Sequence, residues 1–305
     1  MNGGILMDNI TKIADKIYHI DVGTPELPST FSSYLLVGSD IMIIDPGAAR
    51  FYNNILSALK SLNLSYDDVK YIALTHIHLD HAGAAGYLLD YLPNAYVLVH
   101  PVGKQHLMDP WRLWDATKNT LGDIANYLGE PKPISENRII TLKDYEIIEL
   151  GKDLCVLSLF TPGHAKHHVS YFTDETDILF AGDSVGLFMN GFSAPTTPPP
   201  FRLNYALESL RKILQIHPKF IGYFHFGPGD NAIKEIMSYY GQLNLWYDIL
   251  KQNIRIQDSD TKILDSILKF DHLARGFMES VKENWFLKDA VFRSLKGFLD
   301  LINKS

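Results

Sequence analysis

The segment at residues 75–86, THIHLDHAGAAG, most constrains how this chain can fold. It places His76, His78, Asp80 and His81 within six positions. Such side chains repel one another when charged and are costly to bury when neutral, unless they all bind to one shared partner that satisfies their polar atoms. The preceding DDVKYIALTH has the pattern of a buried strand. We therefore expect this strand to deliver the cluster at its C-terminal end.

Three further residues of the same types follow, each where a β-like run ends. His164 lies in FTPGHAKHHVS, Asp183 in FAGDS and His225 in YFHFGPG. The strand ends of a rigid sheet can hold several groups converging on one point. Neutral imidazoles with a few carboxylates suit zinc, iron or manganese better than calcium or magnesium. Five histidines and two aspartates are too many for one tetrahedral ion, so they indicate a pair of ions with a bridging carboxylate.

The hydrophobic pattern predicts an α/β protein in which helices cover a sheet. KIYHIDVG, SSYLLVG and IMIIDPG are typical of short strands, the first two paired as a hairpin or meander, and FYNNILSALKSLNL has apolar residues at helical spacing. The proline-rich residues 189–201 exclude a helix or a central strand and predict a loop. From about Ala232 the periodicity is helical almost to the end. We expect a main domain over residues 1–240 and a helical region over residues 241–305.

The set THIHLDH, PGH, AGD and a late histidine resembles the metallo-β-lactamase-fold hydrolase superfamily, whose members include glyoxalase II-type thioesterases and lactonases. The resemblance covers residues 17–228 in motif order and apparent topology. It implies an α/β fold, the four-layer αββα metallo-β-lactamase sandwich, with the C-terminal helices as an extension. It also implies two divalent metal ions as cofactors, zinc being favoured over iron or manganese.

The resemblance assigns roles to the seven ligand positions, all of which are present. The first ion would bind His76, His78 and His164, and the second Asp80, His81 and His225, with Asp183 bridging the two. A hydroxide bridging the ions would then attack a carbonyl group, because metal ions bring the pKa of bound water to about 7. Asp80 is the candidate to exchange the proton of the leaving group.

Two supporting residues are expected beside the ligands. Asp45, in IIDPG, corresponds to an aspartate that supports the ligands by hydrogen bonding in the family, although it could also simply cap the turn before Pro46. His168 follows PGH at a position where the family often has a second histidine, and a structural hydrogen bond is the favoured role.

The substrate pocket is less constrained. Four side chains surround the proline-rich loop after Asp183: Phe188, Met189, Phe192 and Phe201. They either wall an apolar pocket or pack the loop on the core, and the sequence does not separate these alternatives. The amphipathic C-terminal helices are expected to pack on the main domain or on a second subunit, as in a homodimer.

The leading functional hypothesis is a dinuclear hydrolase of a small ester, thioester or lactone. The alternative on the same fold is an oxidoreductase resembling persulfide dioxygenases, with one iron bound by two histidines and one aspartate. The segment GDSVG spells a serine-nucleophile motif, but the residues after Ser184 cannot form the helix that this motif requires.

The net charge, the hydrophobic pattern and the N-terminal sequence argue against several other classes of protein. The net charge of −7 argues against a nucleic-acid partner, and no apolar run approaches the roughly 20 residues needed to span a membrane. The N-terminal MNGGILMDNITKI lacks the basic-then-apolar layout of a secretory signal. The sequence is compatible with either Met1 or Met7 as the first residue. The one cysteine, Cys155, is expected to be buried in a strand. We expect a cytoplasmic protein that acts on a small molecule.

Overall fold

The computed structural model, which describes residues 4–7, 9–253 and 259–304, contains an eight-stranded and a six-stranded β-sheet. Met1 and residues 254–258 of the expected helical region lie outside the described residues. The chain divides into two units. Unit 1 holds the residues up to Phe160 with Val169–Gly182 and Phe220–Asp230; unit 2 holds Thr161–His168, Asp183–Lys219 and the residues from Asn231 onward.

The first sheet of unit 1 has eight strands in chain order. They are β1 (Gly4–Met7), β2 (Ile10–Ala14), β3 (Ile17–Asp21), β4 (Ser32–Val37), β5 (Ile41–Ile44), β6 (Val69–Ala73), β7 (Tyr96–Val99) and β8 (Ile139–Thr141). Strands β1 to β5 form an antiparallel meander, which confirms the predicted pairing of KIYHIDVG with SSYLLVG. Strands β5 to β8 are parallel, so the C-terminal ends of β5 and β6 meet at one edge of the sheet.

The second sheet of unit 1 has six strands. They are β9 (Glu146–Glu149), β10 (Cys155–Phe160), β11 (Val169–Thr173), β12 (Ile178–Gly182), β15 (Phe220–Tyr223) and β16 (Pro228–Gly229), in the order β16-β15-β12-β11-β10-β9. Strands β12 and β15 run parallel, and the remaining pairs are antiparallel. Their parallel alignment places the C-terminal ends of β12 and β15 at one edge of the sheet.

The core of unit 1 lies between the two sheets. Leu36, Met42 and Ile44 of the first sheet belong to the same buried cluster as Val156 and Phe180 of the second. In β10 the side chains of Val156 and Ser158 are buried while Cys155 is only half-buried. The expectation of a buried cysteine was therefore wrong, because the alternation of the strand turns Cys155 away from the side that holds Val156.

The helices of unit 1 connect the strands of the first sheet. They are α1 (Tyr52–Ser61), α2 (Leu79–Ala82), α3 (Ala85–Leu88), α4 (Lys104–Met108), α5 (Trp111–Leu121) and α6 (Asp123–Leu128). Helix α1 buries Ile55 and Leu59, as its periodicity predicts. Residues 82–86, AGAAG, run from the last residue of α2 to the second residue of α3, and both helices are single turns. A Cβ at Gly83 would lie 2.7 Å from the backbone nitrogen of Ala49, so glycine permits this close approach.

Unit 2 contains a short hairpin and five helices in its described part. They are β13 (Leu187–Met189), β14 (Phe192–Ala194), α7 (Leu203–Gln215), α8 (Ala232–Asn253), α9 (Asp260–Leu268), α10 (His272–Ser280) and α11 (Trp285–Asn303). The hairpin occupies the start of the predicted loop at residues 189–201. It is compatible with the proline content because it ends before Pro195 and because, among the described strands, β13 and β14 pair only with each other.

The helices after Ala232 confirm the helical periodicity of the C-terminal part. The division at residue 240 stays a prediction, and α8 continues through that position. Among the described residues, no helix combines the length and the hydropathy needed to cross a membrane.

Candidate metal centre

The first two predicted ligands follow the end of β6. His76 is fully buried and His78 is partly exposed, and the Nε2 atom of His76 lies 2.8 Å from the Nδ1 atom of His78. The hydroxyl of Thr75 donates its one hydrogen to Asp45, so it accepts from Nδ1 of His76 over 3.1 Å. The imidazole of His76 therefore carries its proton on Nδ1, and its Nε2 keeps a lone pair that can bind a metal.

A second group combines Asp80 and His81 with His225, which follows β15. One possible ligand atom from each of the three residues lies within 4.8 Å of the other two. Oδ2 of Asp80 is 3.7 Å from Nε2 of His81 and 3.9 Å from Nε2 of His225. The structure thus brings these three predicted ligands together, although His225 is far from the others in sequence.

Asp45 is buried at the end of β5 and fixes the turn that carries the histidines. Its carboxylate accepts hydrogen bonds from the Thr75 backbone N–H (2.7 Å), the Thr75 hydroxyl (2.6 Å) and Nδ1 of His81 (2.9 Å). The last bond leaves the Nε2 atom of His81 facing Asp80. Asp45 has a φ of +48°, in the left-handed region that aspartate and asparagine tolerate best among residues other than glycine. The contacts fit the predicted supporting role.

Two buried tyrosines surround this turn in unit 1. Burial, and secondarily the charge of Asp45, raise the pKa of Tyr34 and of Tyr171 well above the ordinary value. Both hydroxyls are therefore protonated and donate. Tyr34 bonds to the carbonyl of Tyr223 (2.6 Å), and Tyr171 bonds to the carbonyl of Leu74 (2.8 Å). Each bond holds the backbone next to a predicted ligand segment.

His225 is oriented in the same manner as His81. Its Nδ1 donates to the backbone carbonyl of Thr30 over 2.9 Å, which leaves Nε2 with the lone pair on the side of Asp80. A histidine that donates its second nitrogen to a carbonyl or carboxylate is the usual form of a metal-ligating histidine.

In unit 2, His164 and Asp183 form the remaining part of the predicted set. Nε2 of His164 lies 3.3 Å from Oδ2 of Asp183, and Nδ1 of His164 donates to the carbonyl of Thr196 over 2.7 Å. Asp183 follows β12 directly, after Gly182 with a φ of +53° turns the chain. The carboxylate is also 3.5 Å from the Thr196 hydroxyl. Thr196 thus contacts both predicted ligands.

His168 is completely buried, and its imidazole contacts the backbone of Asp183. Its Nε2 accepts from the Asp183 N–H (3.1 Å), so its Nδ1 carries the proton and donates to the hydroxyl of Thr161 (2.8 Å). With both nitrogens engaged in hydrogen bonds within the chain, the geometry fits the predicted structural role.

The four predicted pocket residues have different environments within unit 2. Phe201 is buried and packs on Phe298 with ring centroids 5.0 Å apart, whereas Phe192 is 36% exposed. Phe188 and Met189 are half-buried on β13. Their lining of a substrate pocket stays a prediction.

Several contributing residues were not found from the sequence. Thr30 and Thr196 act through backbone carbonyls, for which a sequence carries no signal. Thr75 could have been found, because it adjoins His76 and its side chain can bond to the aspartate of IIDPG. Tyr239 of α8 is also buried in unit 2; burial first, and the charge of Asp183 second, raise its pKa.

The donor set fits metal ions of the zinc type. His76, His81, His164 and His225 each have Nδ1 bonded within the chain, which leaves the Nε2 lone pair available. Three of these Nε2 atoms lie within 4 Å of a carboxylate oxygen. Such a combination of oriented imidazoles and carboxylates is the ligand chemistry of zinc, iron and manganese.

Comparisons with known proteins agree with the motifs and the fold. The family model of the metallo-beta-lactamase superfamily matches residues 29–225, more than half of the chain. The metallo-beta-lactamase fold-containing protein ST1585 of Sulfurisphaera tokodaii is 33% identical over 216 residues, covering 69% of this chain and 78% of that protein. The atrochrysone carboxyl ACP thioesterase of Aspergillus fumigatus is 26% identical over 215 residues. These cover 70% of this chain but only 55% of the thioesterase.

Solved structures show the same fold. The archaeal superfamily protein ST1585 from Sulfolobus tokodaii aligns with a TM-score of 0.66 and 29% identity, covering 86% of this chain and 98% of that chain. The family protein TTHA1429 from Thermus thermophilus aligns with a TM-score of 0.70 and 20% identity, covering 96% and 95%. The predicted fold class is thereby confirmed. The chain belongs to the metallo-beta-lactamase superfamily and is, as a member of it, a metal-dependent hydrolase.

Proposed function

We propose that this protein hydrolyses a small ester, thioester or lactone with two bound divalent metal ions, zinc being favoured. The observation that carries the proposal is the common orientation of the histidines: four of them keep the Nε2 lone pair available because Nδ1 is hydrogen-bonded within the chain. The name of the fungal relative, a thioesterase, supports the acyl-transfer class of reaction.

The ligands are assigned by the motif pattern of the family. His76, His78 and His164 would hold one ion, Asp80, His81 and His225 the other, and Asp183 would bind both. Bound divalent ions supply Lewis acidity, which lowers the pKa of water toward neutrality and polarises a carbonyl group.

The residues of the chain itself orient the site and handle the proton. Asp45 and Thr75 keep His81 and His76 protonated on Nδ1, so no proton blocks Nε2. Asp80 has a partly exposed carboxylate, and we propose that its oxygen accepts a proton and returns it to the leaving group.

The test measures metal content and hydrolysis together. Protein purified without a histidine tag or added metal is analysed by inductively coupled plasma mass spectrometry and assayed on a panel of thioesters, lactones and activated esters. Asp183→Asn is expected to retain less metal and to lose at least about 100-fold in activity. His217→Asn is the matched control, because His217 is exposed and its φ of +50° is tolerated by asparagine.

The outcomes separate the hypotheses. Two ions per chain, with hydrolysis that a chelator abolishes and metal restores, would support the proposal. One iron per chain that is retained after substitution of Asp80, His81 or His225 would replace it with the persulfide dioxygenase-like alternative. No bound metal after reconstitution with zinc, iron and manganese would overturn it.

A further inference from the structure

Helix α11, which is far from the ligand motifs in sequence, contacts the segment that orients His164. This segment, residues 195–197, follows β14 and is called here the PTT segment for its sequence Pro195, Thr196 and Thr197. We propose that Ser294 of α11 is a positioning residue for the metal ligand His164. The inference rests on the proposed function, because it gives His164 the role of a ligand.

The peptide group between Thr196 and Thr197 links His164 to Ser294. Its carbonyl oxygen accepts the hydrogen bond from Nδ1 of His164 (2.7 Å), and its N–H donates to Oγ of Ser294 (3.0 Å). A trans peptide group is planar, and its C=O and N–H point in opposite directions. Ser294 therefore fixes one side of the same rigid plane that orients His164 on the other side.

Two further bonds join α11 to the groups on either side of this plane without involving the plane itself. The Ser294 hydroxyl donates to the carbonyl of Pro195 over 2.7 Å, and the Thr197 hydroxyl donates to the carbonyl of Ser294 over 3.1 Å. Ser294 and Thr197 are both completely buried. Because solvent does not reach them, water is not available to replace a lost bond, and the plane would find a new orientation instead.

The close contact of α11 with the PTT segment depends on a glycine. A Cβ at Gly297 would lie 1.7 Å from the carbonyl oxygen of Thr197, closer than any side chain can approach. Glycine at this position, one turn beyond Ser294, lets the helix contact the backbone of the segment directly. The helix is thus fitted to this stretch of backbone.

The hairpin before the PTT segment is anchored separately to the helices of unit 2. Gln242 of α8 donates to the carbonyl of Ser193 (2.9 Å) and accepts from its hydroxyl (2.7 Å). The amide nitrogen of Gln242 also contacts the buried carboxylate of Asp271, which accepts from Nε1 of Trp246 (2.8 Å). With the hairpin held independently, a change at Ser294 acts on the peptide plane of Thr196 without releasing the whole segment.

The sequence predicts only that the C-terminal helices pack on the main domain or on a second subunit. The contacts of Ser294 assign to α11 a contribution to the orientation of His164. Loss of the serine hydroxyl is expected to allow the Thr196 carbonyl to rotate, so that the imidazole of His164 loses its fixed orientation and the fixed position of its proton.

The test substitutes Ser294→Ala in the full chain and measures the affinities for zinc and cobalt by competition with a chelator. The affinity of one of the two ions is expected to fall by about 10- to 100-fold, as for other hydrogen-bond partners of metal ligands. The visible absorption of the cobalt-loaded protein, which reports the ligand geometry, is expected to change as well.

Two control variants separate positioning from stability. Thr197→Val removes the bond to the Ser294 carbonyl but leaves the N–H bond of the Thr196–Thr197 peptide intact. Ser280→Ala removes a serine hydroxyl that donates to the carbonyl four residues earlier in α10; the Ser294 hydroxyl likewise lies 2.9 Å from the carbonyl four residues earlier in α11. Both variants are expected to retain the zinc affinity and cobalt spectrum of the parent protein, whatever they do to thermal stability. Equal loss of affinity in Ser294→Ala and Thr197→Val would overturn the inference.

The remaining outcomes are also decisive. If Ser294→Ala does not fold, Ser294→Cys retains a weak acceptor and is expected to show a smaller loss of affinity in the same assay. Unchanged affinity and spectrum in the folded Ser294 variant would overturn the positioning role and leave the proposed function intact. Failure of the parent protein to bind either metal would overturn the proposed function itself.

Discussion

The substitution Asp45→Asn tests how the ligand turn is oriented. Asp45 accepts three hydrogen bonds, two of them, from the Thr75 hydroxyl and from Nδ1 of His81, at the same oxygen, Oδ2. Asparagine keeps the size of the side chain and tolerates the φ of +48°. The variant therefore changes hydrogen bonding without adding backbone strain.

Either orientation of the new amide is unfavourable. If its nitrogen replaces Oδ2, it faces Nδ1 of His81 as a donor, and the imidazole proton must move to Nε2, the expected ligand atom. If the nitrogen replaces Oδ1, the new amide N–H and the backbone N–H of Thr75 face each other, and neither group can accept a hydrogen bond. Hydrogen bonds to a charged group contribute about 1.5–3 kcal/mol each, so the loss of one or two lowers the free energy of unfolding by about 1.5–6 kcal/mol.

The assay combines urea unfolding of the metal-free protein with zinc binding in competition with a chelator. Beyond the loss of stability, zinc affinity is expected to fall by about 10- to 100-fold. Asp177→Asn is the matched control, because Asp177 also has a left-handed φ (+54°) but is only half-buried in the turn between β11 and β12. A change of less than about 0.5 kcal/mol in Asp45→Asn, with unchanged zinc affinity, would refute the reasoning.

Buried or partly buried polar groups elsewhere in the chain give three more predictions. Tyr171→Phe leaves the carbonyl of Leu74 without its 2.8 Å bond and is expected to lower the free energy of unfolding by about 1–3 kcal/mol in urea titration. Asp271→Asn weakens bonds from Trp246 and from the first turn of α10, with an expected loss of about 2–3 kcal/mol measured by tryptophan fluorescence. Burial lowers the pKa of His19 from 6.5 to about 4, so the unfolded chain binds the proton more readily as pH falls. The free energy of unfolding therefore decreases as the pH falls below 6.5, by about 2 kcal/mol at pH 5. His19→Gln is expected to reduce the loss of stability between pH 7 and pH 5 by about that amount. The same pH dependence of stability in the variant and the parent protein would contradict this prediction.

The sequence is sufficient to predict the ligand segments, because the end of a strand is a local property. The hydrophobic runs before His76, Asp183 and His225 identify the strands, and the residue types that follow are those that bind metals. Parallel pairing of β12 with β15 then places the C-terminal ends of the last two of these strands at one edge of a sheet. The fold class and the motif order could therefore be predicted without coordinates.

The groups that orient the ligands could not be predicted in the same way. The carbonyls of Thr30 and Thr196 are backbone atoms that every residue has, so their use depends only on how the chain is folded. The bond of Ser294 joins residues 97 positions apart, and the amphipathic pattern of α11 predicts a buried face without indicating its neighbour. The side of β10 that Cys155 would occupy likewise depends on register.

Hydrogen bonds within the chain orient the histidines before any metal binds. A flexible imidazole must lose side-chain entropy when a metal binds, and it must be present in the correct tautomer. In this protein the Nδ1 bonds to Asp45, Thr30 and Thr196 already impose both conditions. The cost of ordering is therefore borne during folding, where the sheets and the C-terminal helices provide the contacts that offset it. Metal binding then requires little further ordering of these imidazoles, so a residue as distant as Ser294 can affect affinity through His164 without contacting an ion.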